Sequence, residues 1–394
     1  MPDRHIYIDF NATTPLKDEV KAAMIRDLDI FGNASSMHTA GRHARARVEE
    51  ARVAVGHLVG APAQDIVFTS GGSESNNAVF QTARRLASGP DGSPLQEGRH
   101  RFVVAAAEHP CVLNSAEYAQ KLGFGVDFVP VDEHGKVKMD ALKAVLNEQT
   151  LFVSIMMANN EIGTVEDIRE ITRLVKAAGA LMHTDAVQAA GKIPVNAAEL
   201  GVDYLTISAH KFYGPKGVGA LYVKKGAPFY PLIHGGHQEN GLRAGTYNNI
   251  GILGLGTAAE LAERDLGEYQ RRTLFLRTKL RDGLLANIPN IKINGHPVDV
   301  LPNTLNVSFP GAEGEAILLS MDMAGIEAST GSACASGSLE PSHVLTAIGA
   351  GPELAHGSIR FSLGWGSTEQ EVDYIIETMP PIMARLRAMS TEKS

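Results

Sequence analysis

The stretch SAHKFYGPKGVGALYV, residues 208–223, places Lys211 directly after a β-branched run and before a glycine-rich turn. Asp185 lies 26 positions upstream, in the segment HTDAVQ. A lysine amine at a strand end can form a Schiff base with an aldehyde, and an upstream carboxylate can keep a pyridine nitrogen protonated. A His-Lys pair at a strand end is by itself more often a solvated terminus. Together, Lys211 and Asp185 favour a pyridoxal phosphate (PLP) enzyme that acts at the α-carbon of an amino acid.

Short β-rich runs alternate with helical patterns on the amino-terminal side of Lys211. Three segments between the runs, 41–59, 137–147 and 165–178, have apolar positions three and four residues apart with charges opposite, as crossover helices do. The pattern predicts an α/β fold with a mainly parallel central sheet, whose binding groups lie at the carboxyl ends of the strands. The predicted strands lie at 65–70, 101–109, 151–160, 180–187, 203–210 and 218–225.

The sequence changes character from about residue 256. A long, charged, amphipathic stretch is followed by the β-rich segments NTLNVSFPG and SIRFSLGW, which we interpret as a linking helix and a smaller α+β domain. The predicted boundaries are 15–262 for a large PLP-binding domain and 263–394, with an N-terminal arm of residues 1–14, for a small C-terminal domain. The polar segment 87–100 is predicted to be a surface loop rather than a linker between domains.

The composition narrows the classes of partner. The chain has 394 residues, 44% of them hydrophobic and 20% charged, which suits a large globular protein. A net charge of −8 without a lysine or arginine tract disfavours nucleic acid and anionic membranes as partners. No apolar run approaches the roughly 20 residues of a membrane-spanning helix, and we expect a cytoplasmic protein. The two cysteines, Cys111 and Cys334, fit neither a disulfide framework nor a zinc spacing, so no metal site is expected.

A phosphate-binding element is predicted in TSGGSESNN, residues 69–77. This segment follows a strand and opens a helix, so that the backbone amides of Gly72 and Ser73 could hold a phosphate at the helix N-terminus. An ordinary glycine-rich turn with an N-cap serine would have the same sequence pattern. Ser208 and His210 can reach such a phosphate from a neighbouring strand end.

The groups expected around the cofactor ring follow two other strands. Asp185 and Gln188 could serve the ring nitrogen and the phenolic oxygen, and the alternative for them is a helix cap on the segment that begins at Ala186. His109, in the segment EHPCVL, could stack on the ring and shuttle protons. A lone histidine is more often structural, so that this assignment depends on the other residues.

Taken as a set, the motifs resemble those of the cysteine desulfurases of the NifS/IscS type, within the class-V aminotransferase family of fold-type I PLP enzymes. The resemblance runs nearly from end to end, and the segment FNAT after Asp9 is somewhat closer to the nitrogen-fixation branch. It implies a large domain with a mainly parallel seven-stranded sheet and a smaller α+β domain. The motifs that carry it are NATTP (11–15), GNASSMH (32–38), SGGSESNN (70–77), EHP (108–110), NNEIG (159–163), HTDAVQ (183–188), SAHKFYGPKG (208–217), GGHQENGLRAGT (235–246), STGSACASGSLEPSHVL (329–345) and the strand around Arg360.

The resemblance also implies a role for each matched residue. His109 would stack on the ring, and Thr246 would contact the phosphate from the second subunit of a homodimer. Arg360, together with Asn159 and Asn33, would bind the substrate carboxylate, since a guanidinium matches it bidentately. The residues that would hold PLP within one subunit are Ser73, Asp185, Gln188, Ser208, His210 and Lys211.

Cys334 lies among small residues in the segment SACASG, and we expect its thiol on a mobile surface loop rather than in a core. The resemblance makes it the sulfur acceptor: L-cysteine would become L-alanine, and its sulfur would pass to Cys334 as a persulfide. An unperturbed thiol has a pKa of about 8.5, so the attack requires local activation, for which His109 is the candidate. A sulfur-accepting protein, expected to be an iron–sulfur cluster scaffold, would then take the sulfur.

Several other interpretations share part of this sequence pattern. A selenocysteine lyase or a β-eliminating cysteine lyase would use the same cofactor site without needing an acceptor loop around Cys334. A transaminase would require an amino acceptor, and a non-catalytic scaffold would not require intact Lys211 and Asp185. Cys111 stands where the family commonly has alanine, and we interpret it as a small side chain that fills space rather than as a redox or relay group.

Overall fold

The computed structural model describes residues 5–330 and 341–389. Within these ranges the chain forms a seven-stranded sheet, a three-stranded sheet and a two-stranded sheet. The strands are β1 (Ile6–Tyr7), β2 (Ile66–Thr69), β3 (Arg101–Ala105), β4 (Val126–Val129), β5 (Thr150–Ser154), β6 (Leu181–Asp185), β7 (Tyr204–Ser208), β8 (Gly219–Val223), β9 (Lys292–Asn294), β10 (Thr304–Ser308), β11 (Ile326–Glu327) and β12 (Ser358–Ser362).

The α-helices lie mainly between and after the strands of the large sheet. No helix among the described residues combines the length and the apolar character needed to cross a membrane. The helices are α1 (Asp18–Arg26), α2 (Thr39–Leu58), α3 (Gly72–Leu86), α4 (Pro110–Lys121), α5 (Met139–Val145), α6 (Ile168–Ala177), α7 (Ala197–Leu200), α8 (Asn249–Asn287), α9 (Gly314–Met323), α10 (His343–Ala347), α11 (Pro352–His356) and α12 (Glu369–Met389).

The large sheet has the strand order β2-β8-β7-β6-β5-β3-β4. β4, β3, β5, β6 and β7 pair in parallel, whereas β8 pairs antiparallel with both β7 and β2. The predicted fold class, an α/β fold with a mainly parallel seven-stranded sheet and a smaller α+β part, is confirmed. β5, β6 and β7 are almost entirely buried, as expected for parallel strands covered on both faces.

The predicted linking helix is longer than the sequence pattern indicates. α8 begins at Asn249, because the side chain of Asn248 accepts a hydrogen bond from the amide of Gly251 at 3.1 Å and caps the helix. It then runs without interruption to Asn287 and so crosses the predicted boundary between residues 262 and 263. The division into domains of 15–262 and of 263–394 with the arm 1–14 stays a prediction.

The N-terminal residues pack with the C-terminal third of the chain. β1 pairs in parallel with β11, and the small antiparallel sheet has the order β12-β10-β9. Buried apolar side chains from these segments, among them Ile6, Leu280, Phe361 and Met379, form a core cluster separate from the clusters that cover the large sheet. The N-terminal segment thus contributes Ile6 and Ile8 to the core cluster of the C-terminal third.

Candidate active site

A cavity of about 300 Å³ opens at the carboxyl ends of β6 and β7, where ligands bind in sheets of this kind. Side chains predicted from the sequence make up half of its wall. The predicted residues that line it are Gly72, Ser73, His109, Asp185, Gln188, Ser208, His210, Lys211 and Arg360. The other lining residues are Asn11, Ala12, Asn76, Pro110, Cys111, Met156, Asn160, Glu161 and Val187.

Lys211 is placed by a short 3-10 turn, Ala209–Lys211, that follows β7 directly. Its Nζ donates to the carbonyl oxygens of Asn11 at 2.6 Å and Ala12 at 2.8 Å. Two residues later, Tyr213 adopts a left-handed conformation with φ of 68°. Such conformations cost about 1–3 kcal/mol in a residue with a side chain and collect at functional sites. The chain therefore turns away sharply after Lys211 and leaves its amine against the N-terminal segment.

Asp185 ends β6, and its carboxylate is held on both oxygens. Oδ1 accepts from the amide of Val187 at 2.9 Å, and Oδ2 accepts from Nδ2 of Asn76 at 2.7 Å. Gln188 follows in the same turn and donates through Nε2 to the carbonyl oxygen of Asn11 at 2.9 Å. Asp185 therefore acts in part as the predicted cap, since Oδ1 binds the amide of Val187. Its Oδ2 is held by Asn76, which also lines the cavity.

The N-terminus of α3 can receive a phosphate. No side chain caps this helix at Gly71, and the first amides of a helix have no partners within it. A Cβ atom at Gly72 would lie 2.9 Å from Cγ2 of Val187, so only glycine leaves the approach open. Ser208, which ends β7, lies on the same wall. Burial and then the charge of Lys211 lower the pKa of His210 to about 4, so its ring is neutral at pH 7 and suited to hydrogen bonding.

His109, Cys111 and Asn76 form a hydrogen-bonded chain that ends on Asp185. Nδ1 of His109 accepts from the amide of Cys111 at 3.2 Å and lies 3.0 Å from its Sγ. Nδ2 of Asn76 lies 3.2 Å from the same sulfur and also contacts Asp185. Burial and then Asp185 raise the pKa of the Cys111 thiol to about 12. The thiol is therefore protonated and donates to Nδ1, which leaves Nε2 of His109 as the protonated nitrogen of a neutral ring.

Arg360 lies on β12 of the small sheet, whereas the residues suited to the phosphate lie at the ends of strands of the large sheet. Its side chain is 1% exposed, and Nη2 forms an ion pair of 2.7 Å with Oδ1 of Asp9. Nη1 donates to the carbonyl oxygen of Asn160 at 3.1 Å. A guanidinium held in one orientation is suited to bidentate binding of a carboxylate.

Three predicted site residues do not line this cavity. The side-chain amide of Asn159 is buried: Nδ2 donates to the carbonyl oxygen of Ala107 at 2.9 Å, and Oδ1 accepts from the amides of Glu161 and Ile162 in its own turn. The neighbour Asn160 lines the cavity instead. Asn33 and Thr246 are exposed. Cys334 lies outside the described residues.

Sequence reasoning missed several residues of the wall. Asn11 holds Lys211 and Gln188 through its carbonyl oxygen, and its side chain accepts from Lys192 at 2.9 Å. Asn76 holds Asp185, and its buried Oδ1 has no partner among the described residues. Both residues lie inside motifs noted in the sequence, NATTP and SGGSESNN, but an asparagine in a turn motif gives no sign of which partner it will contact.

The residues present fit PLP. The N-terminus of α3, with Ser208 and His210, suits a phosphate, and the carboxylate of Asp185, which lines the same cavity, suits a protonated ring nitrogen. Lys211 faces the same space and supplies an amine for the aldehyde. No group of the wall opposes this assignment, since its acidic side chains are Asp185 and the buried Glu161, whose pKa burial raises.

The fold and the lysine-centred cavity are those of a known enzyme family. The aminotransferase class-V family matches residues 6–375, so the chain belongs to this family, which implies PLP as its cofactor.

The relatives are more specific. The chain is 48% identical over 392 residues to "Cysteine desulfurase IscS" of Dictyoglomus turgidum, covering 99% of this chain and 97% of the relative. It is 48% identical to "Cysteine desulfurase 2" of Trichormus variabilis, covering 98% and 94%. A solved structure of a NifS-like protein superposes with a TM-score of 0.89 at 39% identity, covering 97% of this chain and all of that one. A structure titled "SspA in complex with cysteine" gives 0.76 at 31%, covering 91% and 99%. Within its family the chain belongs with the cysteine desulfurases, and the predicted enzyme class is confirmed.

Proposed function

We propose that this enzyme converts L-cysteine to L-alanine and transfers the sulfur to Cys334 as a persulfide. The observation that carries the proposal is the convergence of Lys211, Asp185, His109 and Arg360 on one cavity of about 300 Å³. These side chains come from three strand ends of the large sheet and one strand of the small sheet, and together they supply an amine, a carboxylate for the ring nitrogen, a neutral imidazole and a carboxylate-binding guanidinium. The relatives named cysteine desulfurases support the choice of substrate.

Substrate binding is assigned to Arg360. Its guanidinium would hold the carboxylate of L-cysteine, with Asp9 and the carbonyl of Asn160 fixing its orientation. Asp185, Gln188 and the N-terminus of α3 would hold PLP, which when bound would supply an aldehyde for an amine and a ring that draws electrons from the α-carbon. Asn33 is a predicted substrate ligand on the exposed surface, and its contribution rests on the family resemblance.

Proton handling is assigned to Lys211 and His109. Nζ of Lys211 would take the proton from the α-carbon of the substrate, because Lys211 lines the cavity and its amine, when neutral, is a base. Nδ1 of His109 is occupied by the amide and thiol of Cys111, so Nε2, which carries the ring proton, is the nitrogen that would donate a hydrogen bond to the substrate sulfur or to the Cys334 thiolate. Burial lowers the pKa of His109, which keeps the ring neutral near pH 7.

The transfer of sulfur involves two thiols, that of L-cysteine and that of Cys334. The Cys334 thiolate would attack the substrate sulfur, a sulfur–sulfur bond would form as the carbon–sulfur bond breaks, and alanine would leave with one proton added at carbon. A sulfur-accepting protein, with an iron–sulfur scaffold as the first candidate, would then take the sulfur from the persulfide. The nitrogen-fixation branch, suggested by FNAT after Asp9, is a finer proposal that the IscS names of the relatives do not favour.

We further propose a cytoplasmic homodimer in which Thr246 of one subunit contacts the phosphate bound by the other. Thr246 is exposed, and its segment is tied to the phosphate-binding helix, because Arg243 forms an ion pair of 2.9 Å with Glu74 in the first turn of α3. The segment that carries Thr246 is therefore fixed beside the cavity without entering it.

The experiment is a single turnover of the PLP-loaded enzyme with L-cysteine in the absence of reductant. Alanine is quantified, and the peptide that carries Cys334 is analysed by mass spectrometry for one added sulfur. Cys334→Ser should form no persulfide, and Cys111→Ser is the matched control because its thiol lines the same cavity. Added sulfur on Cys111, or undiminished sulfide release by Cys334→Ser, would contradict the assignment and favour a β-eliminating lyase.

A further inference from the structure

A second cavity, of about 280 Å³, lies between α8 and the edge of the small sheet. It shares no lining residue with the candidate active site. Its basic side chains are Arg277 and Arg281 on α8 and Lys292 on β9, and the rings of His134 and His296 meet edge to face, 5.5 Å apart, beside them. Glu133 is the one carboxylate of this wall.

Arg277 has an environment that is unusual for a buried cation. Its side chain is 8% exposed, its Nη1 donates to the carbonyl oxygen of Leu301 at 3.1 Å, and its buried Nε has no partner. No carboxylate forms an ion pair with it within residues 5–330 and 341–389. The other two arginines that are buried in the described part of the chain differ, since Arg52 pairs with Glu239 and Arg360 pairs with Asp9.

This burial has a physical consequence. A guanidinium does not lose its proton at physiological pH, so that a buried arginine keeps its charge and needs a counter-charge. Burial and then the nearby charge of Arg281 lower the pKa of Arg277, which shows that its surroundings oppose the cation. Arg281 lies one helical turn further along the same face and is partly neutralised by Asp282 at 2.8 Å. The cavity therefore has an excess of positive charge next to an arginine that lacks an anion.

We propose that this cavity binds a small phosphate-bearing anion, with Arg277 as its buried anchor and Arg281 and Lys292 as its outer contacts. A phosphate carries about −1.5 to −2 charges at pH 7 and three acceptor oxygens, which matches two guanidinium forks and one ammonium better than a single carboxylate does. The volume allows a phosphate ester of a small organic molecule as well as inorganic phosphate.

The cavity is adjacent to the active site through one hydrogen bond. Thr304 lines it, and Oγ1 of Thr304 accepts from Nδ2 of Asn11 at 2.8 Å. Asn11 in turn holds Lys211 through its carbonyl oxygen. Thr304 and Asn11 would thus link a bound anion to Lys211, and the anion would not touch PLP or substrate.

The test measures binding of inorganic phosphate to the PLP-loaded enzyme, so that the phosphate cradle of the active site is already filled. Thermal unfolding and titration calorimetry are run with phosphate against sodium chloride at equal ionic strength. Wild type should bind phosphate and melt at a higher temperature, and Arg277→Gln should lose both effects. Arg281→Gln and Lys292→Gln should each weaken binding by about tenfold, the loss expected for one charge-assisted contact. Arg271→Gln, an exposed change on the same helix, is the matched control and should bind as wild type does.

Three results would overturn the proposal. The first is a thermal shift that sodium chloride reproduces in full, because that is general screening. The second is wild-type affinity in both Arg281→Gln and Lys292→Gln, which also decides the matter if Arg277→Gln does not fold. The third is tighter binding of succinate than of phosphate, since this assigns the cavity to dicarboxylates.

Discussion

The thiol of Cys111 connects the imidazole of His109 to the carboxylate of Asp185 by way of Asn76. We interpreted Cys111 from the sequence as a space-filling side chain, and the structure gives it two polar contacts as well. Burial lowers the pKa of His109. We expect a thiol that donates to Nδ1 to stabilise the neutral imidazole and so to act in the same direction. The charges that face His109 from neighbouring elements are Asp185, Lys211 and His343.

Replacing Cys111 by alanine should therefore raise the pKa of His109. If one hydrogen bond contributes about 1 kcal/mol, the acid limb of kcat/KM should move up by about 0.7 pH units. Cys111→Ser keeps a donor at this position and should retain the wild-type profile. The measurement is kcat/KM for L-cysteine across pH 5 to 9 in all three proteins. An acid limb that stays in place in Cys111→Ala would show that the thiol does not act on His109.

Arg360 is held between Asp9 and the carbonyl of Asn160, so its fork geometry is fixed before substrate arrives. Arg360→Lys keeps the charge but loses the paired donors, and should raise KM for L-cysteine by about tenfold or more with a smaller change in kcat. Asp9→Asn, which keeps the guanidinium and weakens its orientation, should raise KM less. Steady-state kinetics on both variants checks the order. Equal KM values for wild type and Arg360→Lys would move carboxylate binding to another residue.

The adjacent asparagines 159 and 160 show where sequence reasoning ends at this scale. The motif NNEIG marks a turn near the site, but which of its two amides faces the cavity depends on the bonds that close the turn. The backbone amide of Asn159 donates to the carbonyl oxygen of Thr164 at 2.8 Å, and its side-chain Oδ1 accepts from the amides of Glu161 and Ile162. Both asparagines offer the same chemistry, so the choice between them is made by the backbone and not by composition.

Among the elements, the contact of α2 with β2 is made by a buried ion pair. Arg52 donates to both oxygens of Glu239 at 2.6 and 2.7 Å, and Glu239 also accepts from the amide of Phe68 at 2.8 Å. Glu239 has a left-handed backbone with φ of 50°, which the pairing holds in place. The pair thus joins a helix, a strand and the segment that leads to Thr246.

Arg52→Met should destabilise the fold by about 3–5 kcal/mol, because it leaves the Glu239 carboxylate buried without its cation. Arg173→Met is the matched control, since Arg173 forms an exposed pair with Glu170 on α6 and should change stability by less than about 0.5 kcal/mol. Urea unfolding of the PLP-loaded proteins measures both. A loss for Arg52→Met as small as that of the control would mean that water reaches Glu239.

The strands could be predicted where burial on both faces gives a continuous apolar run. β2, β3, β6, β7 and β8 fall within the predicted segments, and β5 begins one residue before its predicted segment 151–160. β4 was not predicted as a separate run, because it is an edge strand, VDFV, with half-exposed side chains and an aspartate at its second position. The α8 start was placed late because its first turns, rich in glycine and apolar residues, lack the charged face that marks the rest of the helix.

At the scale of the whole molecule, the proposed contribution of Thr246 to the active site of the other subunit can be tested with mixed dimers of two variants. Lys211→Ala and Thr246→Ala should each reduce activity as homodimers. In a mixed dimer of the two variants, one site combines wild-type Lys211 with wild-type Thr246 of the other subunit, so that site should be fully active if Thr246 acts across the interface. Coexpression with two affinity tags and assay of the mixed species measures this. A mixed dimer no more active than the variant homodimers would place Thr246 in its own subunit's site or outside both.

The path of the N-terminal segment has a consequence for how the enzyme is made. Residues 6 to 11 pair with β11 and contact β12, Asp9 binds Arg360, and the same segment holds Lys211 from the other side. Residues 6–11 must therefore meet β11 and β12, more than 300 positions further along the chain, before the cavity acquires its full wall. A fragment that ends before residue 360 lacks the guanidinium that pairs with Asp9 in the cavity wall and should turn over no substrate.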